Sequence, residues 1–251
     1  MEGIVTNPEI VIVPDPQELA REAAQRFAGL VGDAAASRGR FSVALSGGST
    51  PEALYRLLAE EPYREQIPWD KVHLFWGDER CVPPDDPGSN YWLASDVLLG
   101  QVPIPAGNIH RVPGELEPDA AARAYERDLN DYFCGPRTRF DLVLLGIGSD
   151  GHTASLFPGS TSLWETKHLV LAVEAHYENR PASRVTLTLP AINSARHVWF
   201  LVTGSAKAGI VQAVLKGGGE NLPAQQICPT AGVLTWLLDA GAAGKLAQSR
   251  G

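Results

Sequence analysis

Along this chain, apolar runs of strand length alternate with helical patterns almost to the C-terminus. Ile10–Val13 predicts a first strand, followed by a helix from about Pro16. Phe41–Leu45 and Val72–Trp76 predict two more strands. Helices follow them over Pro51–Glu61 and over Ser89–Leu99, the latter capped by Ser89 or Asn90. Asp119–Phe133 reads as helix, and Phe140–Ile147 is apolar enough to lie in the middle of a sheet. His168–Val173, Arg184–Leu189, His197–Thr203 and Gly232–Leu238 predict the later strands, with a helix over Ala206–Gly217. Such alternation implies βαβ crossovers. The expected fold is α/β: a mostly parallel, doubly wound, Rossmann-like sheet with helices on both faces. The closely spaced late strands add a short antiparallel portion. No repeat or long linker divides residues 1–251, so one domain is expected. Val102–Pro105 reads as a loop, and the Ala/Gly-rich tail after Asp239, about the last ten residues, is expected to fray.

Composition changes the picture mainly by exclusion. Apolar content of 44% with 20% charged residues describes an ordinary globular protein. A formal net charge of -8 argues against nucleic acid or an acidic membrane surface as the main partner. Cys81, Cys134 and Cys228 are odd in number and far apart, which reads as buried free thiols in a reducing compartment. The first residues lack a basic segment followed by an apolar run, and no stretch of about 18 apolar residues spans a membrane. A cytoplasmic location is expected. No unpaired apolar stripe is left outside the predicted core, which leaves monomer and weak homo-oligomer open.

In open α/β sheets ligands collect beyond the carboxyl ends of the strands, so the residues after each apolar run carry the chemistry. After Leu45 come Ser46, Gly47, Gly48, Ser49 and Thr50, with Pro51 placed at a first helical position. Small residues at a helix N-terminus suit a phosphate, although the lysine of a nucleotide P-loop is missing. A glycine-rich turn with a hydroxyl cap is the plainer reading. After Trp76 come Gly77, Asp78, Glu79 and Arg80, where an arginine can fork onto a phosphate or merely pair with Asp78 in a loop. Arg184 opens a strand and Lys207 begins a helix; each reads as a phosphate ligand or as a solvated cation.

Gly146-Ile-Gly148-Ser-Asp-Gly151 matches the G-x-G-x-x-G of dinucleotide sites. Pro158-Gly159 stops any helix soon after, however, and no acidic residue stands at the right distance. The glycines more plausibly shape a turn that presents Asp150 and His152 at the sheet rim. A histidine held there suits a general base, because an imidazole titrates near neutrality. His73, His110, His168, His176 and His197 show no metal-ligand spacing, so neither a metal nor a cofactor is expected. No G-x-S-x-G elbow is present.

The segments "LSGGSTP", "FWGDERCVPPDDPGSN", "DLVLLGIGSDGHTASLFPG", "RVTLTLPAINSA" and "LVTGSAKA", in this order, resemble the family of 6-phosphogluconolactonases and glucosamine-6-phosphate deaminases. Within it the lactonases fit better. The deaminase pattern "DGHIAFNEP" has a glutamate where Phe157 stands, and its "MDEY" has a tyrosine where Arg80 stands. The resemblance implies hydrolysis of 6-phospho-D-glucono-1,5-lactone to 6-phosphogluconate in the oxidative pentose phosphate pathway. His152 would activate water and Asp150 would orient it or close the turn. The Ser46–Thr50 loop, Asp78, Arg80, Gly148, Arg184 and Lys207 would bind the sugar phosphate. A non-catalytic sugar-phosphate sensor and an amino-sugar phosphate deaminase or isomerase are the alternatives.

Overall fold

The computed structural model describes residues 7–135, 138–175, 181–217 and 221–246. His176 and the residues after Leu246 lie outside these. The chain runs β1 (Glu9–Val13), α1 (Pro16–Arg38), β2 (Phe41–Leu45), α2 (Ser49–Leu58), a short α3 (Tyr63–Gln66), β3 (Val72–Trp76) and β4 (Asp78–Arg80). It continues with α4 (Asn90–Ala94), α5 (Pro118–Phe133), β5 (Leu142–Leu145), β6 (Val170–Glu174) and β7 (Ser183–Leu187). Last come α6 (Leu189–Asn193), β8 (His197–Val202), α7 (Ala208–Lys216) and β9 (Val233–Asp239). Local chemistry sets the ends of α1. Asp15 accepts from the Gln17 and Glu18 N–H groups, Pro16 stands at the start, and Gly39 at φ 75° closes the helix in a left-handed turn.

Six strands pair in parallel in the order β1-β9-β8-β5-β2-β3, so the architecture is α/β as expected. β5 lies between β8 and β2 with all four residues buried, the position its unbroken apolarity predicts. A second, antiparallel sheet has the order β4-β7-β6. The late strands β6 and β7 supply its expected part. Its third strand, Asp78–Arg80, has no apolar alternation to announce it and forms because it pairs with β7.

Other expectations need correction. α2 starts at Ser49, two residues before Pro51, because Gly48 at φ 106° makes the turn into it. The helix expected over Ser89–Leu99 is α4 followed by a wider π-type turn from Ser95 to Leu99. The start of the tail does not fray: Ala242 and Ala243 are buried, held by their N–H groups on the Asp239 side chain and backbone respectively. Of the free thiols only Cys81 is partly buried; Cys134, in a left-handed turn ending α5, and Cys228 are exposed.

Two buried tyrosines finish strand ends in the same way. The Tyr55 hydroxyl accepts from Ser46 N–H (3.0 Å) and donates to Ser46 C=O (2.7 Å), just beyond β2. The Tyr125 hydroxyl accepts from Trp76 N–H (2.8 Å) and donates to Trp76 C=O (2.9 Å) at the end of β3. Burial raises both phenol pKa values, so each keeps the proton it donates. β3 is the sheet edge, and Tyr125 together with His110 N–H on Leu74 C=O covers its open backbone groups. Tyr125→Phe should therefore lower the unfolding free energy by about 2 kcal/mol, roughly 1 for each lost bond, measured by urea denaturation.

Behind that edge His73 contacts His110 (3.2 Å between Nδ1 and Nε2), which in turn reaches Asp128 (3.1 Å). Burial first, then His110 and Arg40, push the His73 imidazole down to about 4 from an ordinary value of 6.5. The unfolded chain thus takes up this proton before the folded one does. Stability should fall as pH drops from about 6.5 toward 4, and His73→Asn should flatten that window in pH-dependent denaturation.

Candidate active site

The carboxyl ends of β2, β3, β5 and β8, with β4 and β7 beside them, surround a cleft of about 610 Å³. Every site residue expected from the sequence lines it except Asp150, which stands behind His152. The residues come from five chain segments that only the fold brings together.

On one wall Ser46, Gly47 and Gly48 lead into α2, whose N-terminus no side chain caps. Uncapped first-turn N–H groups and the helix dipole favour an anion there. Tyr55 fixes the backbone of Ser46, and Thr50 bonds Thr203 across the cleft floor (2.8 Å). Lys207 reaches over from the loop after β8 and donates to Ile147 C=O (2.8 Å). Gly47 has to be glycine, because a Cβ would lie 1.9 Å from Asn90 Oδ1.

On the opposite wall Arg80 and Arg184 are register partners across β4 and β7, so their side chains share one face. Arg184 is 3% exposed, which removes the reading of it as a solvated cation. Arg80 donates to Gly88 C=O, while its Nε is buried with no hydrogen-bond partner among the described residues. Asp78 does not form the loop ion pair considered for it. Its carboxylate accepts from the Ser155 hydroxyl (2.6 Å) and from Asn90 Nδ2 (3.3 Å).

The glycine turn after β5 carries the imidazole. Gly148 N–H donates to His152 C=O (2.9 Å) and Gly151 adopts φ 82°. A Cβ on Gly148 would lie 2.0 Å from His152 Nδ1 and 2.5 Å from Asp150 Oδ1, so this glycine makes room for the pair. No helix follows: Thr153 and Leu156 form an antiparallel bridge instead. Asp150 Oδ1 stands 2.5 Å from His152 Nδ1 and also accepts the His152 N–H. The carboxylate requires the hydrogen on Nδ1, leaving the Nε2 lone pair as the ring's basic position. Phe157 packs on the imidazole (centroids 5.1 Å), and the Arg184 guanidinium lies 5.9 Å from the Phe157 centroid.

Sequence reasoning passed over Asn90, Ser155, Thr203 and Glu79. Asn90 was considered only as a helix cap, a task that Ser89 performs by accepting from Trp92 N–H. Glu79, between two noted residues, turns away from the cleft; its alternation within β4 is the signal that could have revealed its separate role.

With this geometry in place, the chain can be set beside known proteins. A family model described as glucosamine-6-phosphate isomerases/6-phosphogluconolactonase matches residues 14–236. The chain belongs to this family. It is 43% identical to the 6-phosphogluconolactonase of Haemophilus influenzae over 80% of this chain and 85% of that one. It is 42% identical to that of Mycobacterium bovis over 94% and 98%. Among solved structures, 6-phosphogluconolactonase from Trypanosoma cruzi superposes with a TM-score of 0.86 at 31% identity, covering 98% of this chain and all of that one. No described helix is long and apolar enough to cross a membrane.

The tautomer argument has a direct check. Nitrogen-15 NMR of the free protein above pH 8 should report His152 with hydrogen on Nδ1, and Asp150→Ala should shift the population toward the Nε2 form.

Proposed function

We propose that the protein hydrolyses 6-phospho-D-glucono-1,5-lactone to 6-phosphogluconate, the second step of the oxidative pentose phosphate pathway. The observation that carries this reading is the Asp150–His152 pair at the rim of a cleft whose walls offer an uncapped helix N-terminus and two in-register arginines. The family membership and the printed activity of relatives above 40% identity support it. The 6-phosphate sits among the Ser46–Thr50 loop, Arg184, Lys207 and Arg80, which holds C1 of the lactone toward His152. His152 Nε2 takes a proton from water as the water oxygen bonds to C1. The tetrahedral intermediate then collapses, the bond from C1 to the ring oxygen breaks, and the same imidazole returns the proton to that oxygen. Asp150 holds the ring in the required tautomer and shields the imidazolium that forms between the two transfers.

Lactone hydrolysis asks for one base and no proton shuttle between neighbouring carbons, which matches Phe157 where a second carboxylate would stand. The three free thiols fit a reducing compartment such as the cytoplasm.

The lactone opens spontaneously, so only acceleration is diagnostic. The lactone is generated in situ from glucose 6-phosphate with a dehydrogenase, and the product is followed with 6-phosphogluconate dehydrogenase. Wild type should exceed the protein-free rate severalfold or more, and His152→Ala should lose about 10²–10⁴-fold in kcat while binding inorganic phosphate as before. A wild type no faster than the protein-free control would remove the lactonase reading and leave a sugar-phosphate sensor.

A further inference from the structure

The cleft is built largely of donors, yet one part of it can only accept. Asn90 is 4% exposed and lines the cleft. Its amide nitrogen donates to Asp78 C=O (2.8 Å) and toward Asp78 Oδ1 (3.3 Å), which commits both amide hydrogens and fixes which end of the side chain is oxygen. Its Oδ1 accepts from no described residue and lies over the bare Cα of Gly47, in the space a side chain there would fill. Beside it, the Asp78 carboxylate is 7% exposed, also lines the cleft, and is steadied by Ser155.

A carboxylate and an amide oxygen cannot hydrogen-bond an ionised phosphate or a lactone carbonyl, since neither of those donates. The carboxylate repels the phosphate as well. What the proposed substrate has to offer them is its ring hydroxyls. We propose that Asn90 is a specificity-determining residue. Its Oδ1, with the Asp78 carboxylate it braces, accepts hydrogen bonds from a ring hydroxyl and thereby selects sugar lactones over phosphates of similar length lacking that group. Within the expected set of substrate- and phosphate-binding residues, this gives Asp78 the sugar hydroxyls rather than the phosphate. Buried acceptors built to meet a hydroxyl discriminate strongly, because an analogue without it leaves them unpaired. Gly47 is part of the arrangement: any Cβ there would push the amide aside.

The inference rests on the lactonase reading, and its test separates the two. The parent lactone and its 2-, 3- and 4-deoxy counterparts, oxidised chemically from the deoxy-sugar 6-phosphates just before use, are compared by kcat/KM for wild type and Asn90→Ala. Inorganic phosphate binding, measured by calorimetry, reports on the anion wall. Wild type should disfavour at least one deoxy lactone by about a hundredfold. Asn90→Ala should shrink that one ratio tenfold or more, chiefly by slowing the parent, with phosphate affinity within about twofold of wild type. Equal kcat/KM for all four lactones in wild type would overturn the inference, and this comparison decides even where the variant does not fold. A ratio unchanged in a folded Asn90→Ala would overturn it too. Failure of wild type to accelerate the parent lactone is a different result, and removes the reading of function beneath it.

Discussion

The carboxylate of Glu79, 2% exposed, accepts from four donors: the N–H groups of Arg80, Asn90 and Tyr91 and the hydroxyl of Ser89. Burial raises its pKa and the four donors pull it back down. The cleft depends on this knot. β4 is three residues long, too short for its ladder alone to hold it, and Glu79 ties its middle to the first turn of α4. Strand alternation then sends Asp78 and Arg80 to the other side, into the cleft. The same four bonds deliver Asn90 to the cleft wall, since its backbone N–H is one of them. A single buried anion thus orients residues of opposite charge into one cleft.

Arg80 stands opposite Arg184 in register, and like charges directly opposite repel. On the proposed function, the phosphate of the substrate offsets that repulsion. The chain carries a net charge of -8, yet three cationic residues, Arg80, Arg184 and Lys207, line this one cleft. On the proposed function, that contrast suits a small phosphorylated ligand better than a polyanion, which the net negative charge of the chain disfavours.

How far the sequence could be read follows from the range of the forces involved. Strands β2, β3, β5 and β8 and helices α1 and α5 are announced by local pattern, and so is the location of the site, because chemistry at their ends follows from sheet architecture. Gly148 and Gly47 were legible as special glycines, but the reasons, room for the His152–Asp150 pair and for Asn90, exist only in three dimensions. β4 was illegible because its partner β7 lies about a hundred residues away, and a three-residue strand has no periodicity of its own. Asp78 was expected among the substrate- and phosphate-binding residues; its bonds to Ser155 and Asn90 exist only in the folded chain. The buried start of the tail beyond Asp239 was missed for a related reason: small residues look featureless until the Asp239 carboxylate is found holding the Ala242 N–H and its backbone C=O the Ala243 N–H.

Phe157 is where these lines meet. It stands between the imidazole of His152 and the guanidinium of Arg184, in contact with the first and within cation–π range of the second. A carboxylate in this place would attract the guanidinium and compete with Asp150 for the imidazole. A phenyl ring brings no charge of its own and packs against the imidazole. On the proposed mechanism, the base then has Asp150 to set its tautomer while the guanidinium keeps its full charge for the phosphate. Separation of these two tasks by an apolar wall is compatible with a one-base hydrolysis. A reaction that moves protons between adjacent carbons would instead want a second acid or base in that position.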